Sequence, residues 1–384
     1  MTAAPLSGLH VLDFSLNLPG PYATYLLSSL GAEVVKVEPP RGDPARHMGR
    51  FFETINRGKK SVVLDLRAPE TRPALDALIR WADVLVEGFR PGVMARLGAD
   101  WDRAHATQPD LIYCSISAFG QTGPRVDQPG HDLNLQALSG VCWLERDNHD
   151  SPRGSVVPVA DLSSSLVAVA SITAALAART DGPRGRYLDV GMSDAVLSWV
   201  DLWGRGLDLT TQARAALQGA PGERALRPLS APLLRGLDRR KLYAMPQYGI
   251  YRTRDGRHVA LGIVDERSFW ESLCDVLGLR RLKGLPMGAR TALGPVLRRV
   301  VGRRIRRRDS AELLAALEAA DVPATRVLRP DETPDEAQFQ ARDFFDERGF
   351  VRAPLPGAEH LRGEAPALGE HTDEVLRALG VAPA

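Results

Sequence analysis

The chain has 384 residues, 44% of them hydrophobic and 25% charged, and its 49 basic and 47 acidic side chains leave a net charge of +2. A chain of this size exceeds what one simple core fills, so two domains are expected, and the composition excludes a disordered or fibrous protein. The near balance of charge argues against a nucleic acid as the main partner, which normally calls for a larger, clustered basic excess.

The first half alternates strand-like and helix-like segments. GLHVLDFS reads as a short strand, and the loop NLPGP leads into ATYLLSSLG, whose apolar spacing and Gly31 predict a helix with a glycine stop. AEVVKVEPP is a buried strand ended by prolines. SVVLDL, a helix in PETRPALDALIRWA, DVLVEGF, a short helix before LGAD, and DLIYCSIS follow. Strands separated by helices imply βαβ units and a parallel sheet covered on both faces. DLSSSLVAVASITAALAART, residues 161 to 180, predicts a long Ala-rich helix ended at DGPRGR, and YLDVGMSDAVLSWVDLWG a strand running into another helix.

Residues 204–245 lose all periodicity and read as a linker. Beyond them YGIYRTRDGRHVALGIV predicts a strand pair turned at Asp255-Gly256. Helices follow at SFWESLCDVLG, PVLRRVVGRRI and SAELLAALEAA, and a terminal helix at LGEHTDEVLRALG has Thr372 as its expected N-cap. The arginine run from Arg298 to Arg308 reads as the solvated face of an amphipathic helix. Val296, Leu297, Val300, Val301 and Ile305 form its other side, and no aromatic residue interleaves to stack a base.

Cys114, Cys142 and Cys274 are widely spaced, each within an apolar run, and form no CxxC pair; buried thiols in a reducing compartment are expected. MTAAPLSGLHVLDF lacks a basic region followed by an apolar core, so no signal peptide is expected. No stretch approaches the ~20 uninterrupted apolar residues of a membrane span. A cytoplasmic protein is the expectation.

A parallel α/β half invites a dinucleotide reading, but the first strand-to-helix turn is NLPGPYA rather than GxGxxG. Pro19 and Pro21 remove N–H groups that would cradle a pyrophosphate, so neither NAD nor flavin is expected. GxxxxGK[ST], HExxH, GxSxG and an EF-hand loop are missing from the sequence, and the eight scattered histidines suggest no metal site.

The remaining motifs carry one resemblance. GLHVLDFSLNLPGPYATYLLSSLGAEVVKVEPPRGD, NRGKKSVVLDL, DVLVEGFRPGVMARLG, SAFGQTGP, PGHDLNLQALSG, the Asp161 segment, GRYLDVGMSDAV, YGIYRTRDG, DVPATRV and LGEHTDEVL occur in one order along nearly the whole chain. Together they resemble the class III (CaiB/BaiF-type) coenzyme A transferases and their relatives, the α-methylacyl-CoA racemases. The resemblance implies a large Rossmann-like domain with a parallel sheet (1–205), a linker (206–240) and a smaller α+β domain (241–328). A return segment with a C-terminal helix on the large domain (329–384) completes the chain. It also implies that two chains interlock as a ring-like homodimer.

Asp161, read from the sequence, begins an apolar helix, where a carboxylate is either an N-cap or an anion held ionised by the helix terminus. By resemblance it is the catalytic aspartate that attacks an acyl-CoA thioester and carries CoA to a carboxylic acid acceptor. His131, in PGHDLNLQALSG, matches the histidine that works opposite that aspartate in racemases, where two acid/base groups exchange an α-proton. Asp132 reads as a capping or turn residue. Glu266, in GIVDERSFW, falls near the acidic residue that supports the histidine, with Asp265 an equal candidate.

For coenzyme A, the resemblance implies a pocket lined by Leu18, Pro19, Lys36, Glu38, Arg57, Gly88, Phe89, Arg90 and Arg96, with Arg90 and Arg96 as phosphate cations. The sequence departs from the family pattern in two places. Pro39 replaces an arginine after Glu38, and RKLYAMPQYG stands where some transferases carry a run of glycines. A CoA transferase is therefore expected, with racemase-type proton exchange as the alternative. A non-catalytic nucleotide- or nucleic-acid-binding module using the arginine run is the remote one.

Overall fold

The computed structural model describes residues 4–145, 151–179, 185–204, 245–358, 361 and 363–381. Contacts divide the chain into two compact units: Met1–Val200 with Ala337–Ala384, and Asp201–Glu336. The expected linker at 206–240, and the first half of the RKLYAMPQYG replacement, lie outside the described residues.

The larger unit is built on six short strands: β1 (His10–Asp13), β2 (Glu33–Glu38), β3 (Lys60–Val63), β4 (Val84–Glu87), β5 (Ile112–Ser117) and β6 (Arg186–Gly191). They pair in the order β3-β2-β1-β4-β5-β6, and every pairing is parallel. This is the doubly wound order, whose direction reverses between β1 and β4; ligands in such sheets bind beyond the carboxyl ends at that reversal.

Alternation along the strands divides the apolar side chains between two cores. Val11, Val34, Val84, Val86, Cys114 and Ile116 face α1 (Pro19–Ser29) and the long helix α8 (Val159–Ala177). Leu12, Val35, Val37, Leu85 and Tyr113 face α3 (Arg72–Trp81), α5 (Trp101–Thr107) and the terminal helix α15 (Thr372–Ala378). α2 (Arg50–Asn56) and α4 (Val93–Leu97) are short, and α6 (Asp132–Ser139) and α7 (Val141–Leu144) precede α8; α9 (Met192–Gly204) follows β6.

α8 reaches the length and apolarity of a membrane span, with 19 residues at a mean hydropathy of 1.7. Nevertheless Ala160, Ala168, Val169, Ile172 and Ala175 are buried in the protein's own core. The terminal helix starts one residue earlier than expected: His371 is its N-cap, and Thr372 instead turns its hydroxyl to accept from Val63 N at 3.0 Å.

The smaller unit has an antiparallel sheet of β7 (Tyr248–Arg252), β8 (His258–Gly262) and β9 (Ala324–Arg326). Gly256 at φ 79° makes the β7–β8 turn at the expected Asp-Gly step. α10 (Arg267–Val276), α11 (Met287–Ala292), α12 (Gly294–Ile305) and α13 (Ser310–Ala319) cover it around Trp270, Leu273, Leu313 and Leu317. In the arginine-rich helix α12, Leu297, Val301 and Ile305 are buried as expected. Val296, expected beside them, is exposed. All three cysteines are buried and free.

One charge network fixes the edge of the larger sheet. Asp13, fully buried at the end of β1, accepts from Lys59 Nζ at 3.1 Å, Thr24 Oγ1 at 2.6 Å and Ser15 N at 2.9 Å. Burial alone would raise its carboxyl, but Lys59, Lys36 and these hydroxyls overcome that and hold it at about 2. Burial, in turn, pushes the Lys59 ammonium down to about 8. Removing one member of a buried pair strands the other charge, at a cost of about 3–5 kcal/mol. Asp13→Ala should therefore lower the unfolding free energy measured in urea by an amount of that size, and an unchanged midpoint would contradict the assignment.

Candidate active site

Asp161 is the third residue of α8, after Val159 and Ala160, rather than its N-cap, which is Pro158. The cap is supplied from elsewhere. Asp132, the first residue of α6, accepts from Ala160 N at 2.8 Å and Asp161 N at 3.2 Å through one carboxylate oxygen. Gln136 Nε2 donates to its other oxygen, and the same side chain's Oε1 accepts from Ser155 N at 2.8 Å. One carboxylate therefore satisfies the free N–H groups of a helix remote in sequence. The capping role read for Asp132 holds, on α8.

His131 sits next to that anchor as the N-cap of α6, its backbone N–H donating to Asn134 Oδ1 at 3.0 Å, and its ring is exposed. One turn further along α8, Ser165 Oγ lies 2.7 Å from Pro19 O and 2.8 Å from Asp161 O. The loop after β1, the start of α6 and the first turn of α8 thus meet around Asp161.

The carboxyl of Asp161 departs from the sequence expectation. Burial, and then the neighbouring Asp132 charge, push it from 3.8 up to about 7. A helix terminus stabilises an anion by about 0.3–1 kcal/mol, whereas one pKa unit is worth about 1.4 kcal/mol. Desolvation and like-charge repulsion therefore win, because the dipole is already answered by the Asp132 cap.

Leu18 is the buried N-cap of α1 and Pro19 its first residue, so the proline gives up an N–H that the helix does not need. Gly20 is required by contact: a Cβ there would fall 2.1 Å from Ser15 Cβ. Gly88 and Phe89 follow β4 directly, at the sheet's reversal, with Phe89 N donating to Glu87 Oε2 at 2.7 Å. Arg90 and Arg96 are exposed, and among the described residues neither side chain has a hydrogen-bond or ion-pair partner.

Two other expected pocket cations are taken up inside the fold. Lys36 is fully buried, bound to Asp43 at 2.9 Å and Ser15 O at 2.7 Å. Arg57, 2% exposed, donates to Asp346 at 2.6 Å and to Leu361 O at 3.3 Å, with Phe350 under its guanidinium at 4.2 Å. Glu38 is buried and accepts from Arg46 Nε at 2.7 Å and Ser61 Oγ at 2.8 Å. A cavity of about 720 Å³ lies beside this group, walled by Arg46, Phe52, Lys60, Arg348 and His371. Its cations are paired with Glu38, Glu33 and Glu53, leaving no free charge among them for a phosphate.

Glu266 lies in the smaller unit as the exposed N-cap of α10. Its carboxylate turns back to accept from Val264 N at 2.9 Å and Asp265 N at 3.1 Å. Asp265 is exposed, 3.5 Å from Arg290. No group of three or more potential metal-ligating side chains occurs among the described residues. Sequence reasoning missed Gln136, Ser165 and Arg290. The Asp132/Gln136 spacing of four was the available signal for the first; the others have none.

A doubly wound sheet with a half-buried carboxyl beside its first strand-to-helix loop defines an α/β enzyme framework with a nucleophile or acid/base group at its centre. The model of CoA-transferase family III matches residues 6–372. The chain belongs to that family and is an enzyme. It is similar to succinate–glutarate CoA-transferase of Agrobacterium fabrum, at 30% identity over 98% of this chain and 96% of that protein. The acetyl-CoA:oxalate CoA-transferase of Acetobacter aceti is 31% identical over 95% and 93% of the two chains. The succinyl-CoA:mesaconate CoA-transferase of Haloarcula hispanica is 32% identical over 98% and 96%. A CaiB/BaiF family protein from Brucella suis superposes with a TM-score of 0.80 at 27% identity, covering 98% of this chain and 100% of that one.

A folded value of about 7, above the unfolded 3.8, means that the native state holds the Asp161 proton more tightly. The stability this contributes is complete below the unfolded value and is lost as pH rises through the folded one. Asp161→Asn should therefore melt higher than the unaltered protein above neutrality, and the two should converge near pH 3.8. Asp132→Asn should move the acidic limb of the pH–rate profile downward; a limb that stays in place would show that Asp132 does not set it.

Proposed function

We propose that the enzyme moves coenzyme A from an acyl-CoA donor to a carboxylic acid acceptor through covalent intermediates on Asp161. The observation that carries this reading is the position of Asp161 in the first turn of α8, where Ser165 Oγ lies between its backbone carbonyl and that of Pro19 at the start of α1. The relatives named above, which exchange CoA among succinate, glutarate, oxalate and mesaconate, support it.

An Asp161 carboxylate oxygen attacks the thioester carbonyl, the C–S bond breaks, and a mixed anhydride and CoA thiolate result. The thiolate attacks the aspartyl carbonyl, releases the donor acid as carboxylate and leaves an aspartyl-CoA thioester. The acceptor carboxylate then attacks that carbonyl and expels the thiolate again. Finally the thiolate takes the acceptor's acyl carbon and frees Asp161. Carboxylate and thioester exchange roles throughout, so the cycle consumes no net proton.

Since Lys36 and Arg57 are paired internally, CoA phosphate recognition rests on Arg90 and Arg96. A lost charge-assisted hydrogen bond of about 1.5–3 kcal/mol weakens affinity by roughly 10–100-fold. Arg96→Glu should raise the KM for acyl-CoA by a factor in that range.

One observation favours a second reading. A carboxyl near 7 beside an exposed histidine suits α-proton exchange at neutral pH, as in a racemase. Incubation with acyl-CoA and hydroxylamine separates the two. Transfer predicts an Asp161 hydroxamate, complete loss of turnover in Asp161→Ala with CoA binding retained, and activity spared in His131→Ala. Deuterium uptake at the α-carbon, without hydroxamate and abolished by His131→Ala, would establish the racemase instead.

The interlocked homodimer implied by the family has a suitable face in the larger unit. Leu133, Leu138, Leu166, Val167, Leu197 and Trp199, on α6, α8 and α9, are large apolar side chains left exposed. Sedimentation should give twice the monomer mass, and a monomer at micromolar concentration would refute the assembly.

A further inference from the structure

The smaller unit contains a buried cation without sufficient partners. Arg290, on α11, is 2% exposed, with the Trp270 ring 5.3 Å from its guanidinium carbon. Among the described residues its Nε and Nη1 have no hydrogen-bond partner. Nη2 makes only two long contacts, at 3.4 Å to Asp265 O and 3.5 Å to Asp265 Oδ1. That aspartate's side chain is 73% exposed, so water screens the pair and leaves it free to swing outward. Glu266, the other acid nearby, is turned onto Val264 N and Asp265 N.

A second, independent vacancy of hydrogen bonding lies alongside. Gln247, fully buried, donates from Nε2 to Val264 O at 3.3 Å, and its Oε1 has no partner among the described residues. The Val264 carbonyl it binds and the Asp265 carbonyl that Arg290 binds are consecutive in one loop, which brings the two side chains to one place. Met245 and Met287 flank Gln247, with sulfurs 3.7 and 3.3 Å from its Nε2. Thioether side chains of this kind repack readily to admit a ligand. Buried polar groups are ordinarily satisfied, and a planar guanidinium with unused donors matches the geometry of a carboxylate.

We propose that Arg290 and Gln247 form a carboxylate-binding subsite for an acid that carries a hydroxyl near its carboxylate. The guanidinium takes the carboxylate oxygens as Asp265 moves into solvent, and Gln247 Oε1 accepts from the hydroxyl. The ligand is either the acid that exchanges CoA or a free acid acting as an effector. This deepens the transferase reading, on which only the first of those two sources rests.

Binding is measured by calorimetry on Asp161→Ala, which removes turnover, with malate, succinate and propionate as probes and chloride as control. Malate should bind more tightly than succinate, and chloride should not compete. Arg290→Gln should weaken malate by about tenfold or more, the scale of one charge-assisted contact. Gln247→Leu should abolish the preference for malate over succinate while leaving succinate binding in place. Melting curves verify that both variants fold, and if Arg290→Gln does not, the Gln247→Leu result decides alone. With Asp161 restored, Arg290-dependent formation of malyl-CoA identifies the substrate source, and inhibition without malyl-CoA identifies the effector. Malate binding that is absent, no tighter than succinate, or unchanged in both variants would overturn the subsite. If transfer fails while malate binding persists, the transferase reading falls and the subsite stands.

Discussion

The candidate site depends on one carboxylate that does two opposed things. Asp132 satisfies the N–H groups of Ala160 and Asp161, and so fixes where α8 begins. In the same position its negative charge, added to burial, makes ionisation of Asp161 harder. A neutral cap such as serine could supply the hydrogen bonds without the repulsion. With aspartate there, the Asp161 carboxyl is held near the midpoint of its titration at neutral pH, where both the anion and the protonated acid are populated. The ambiguity between transfer and racemisation has this physical root.

A second constraint lies beneath the first. The loop after β1 can stay close to α8 only because the end of β1 is immobilised by the Asp13–Lys59 pair and by Gly20 pressed against Ser15. Lys36 and Glu38, on the neighbouring strand, are drawn into the same buried network through Asp43, Arg46 and Ser61. These residues shape the carboxyl edge of the sheet from inside and leave the exposed arginines after β4 free to meet a ligand.

Much of this was legible in the sequence because it rests on periodicity and punctuation. Val-rich runs between helical segments gave the parallel strands, Asp255-Gly256 gave the hairpin, and the apolar stripe through Leu297, Val301 and Ile305 gave the arginine-rich helix its buried side. The aspartate before an apolar helix drew attention to Asp161, which the structure places in the first turn of that helix. Its ionisation was not legible, because the deciding groups, Asp132 and the surrounding burial, lie 29 residues away in sequence or arise only on folding. Lys36 and Arg57 read as pocket cations for a similar reason: a basic residue in a motif carries no sign of whether its partner is a ligand or, like Asp346, a distant part of the chain. Arg290 gave no signal at all, since an isolated arginine in a short helix resembles any surface cation.

The larger unit is assembled from both ends of the described chain. Arg57 closes on Asp346 across 289 positions, and Lys60 on Glu374 across 314. Loops of that length form late, after local contacts have already settled. During synthesis the smaller unit emerges in full before residues 337–381 can seal the sheet on which α8 packs. The nascent chain therefore holds an open, unsealed large unit for the whole time the ribosome spends on the smaller one.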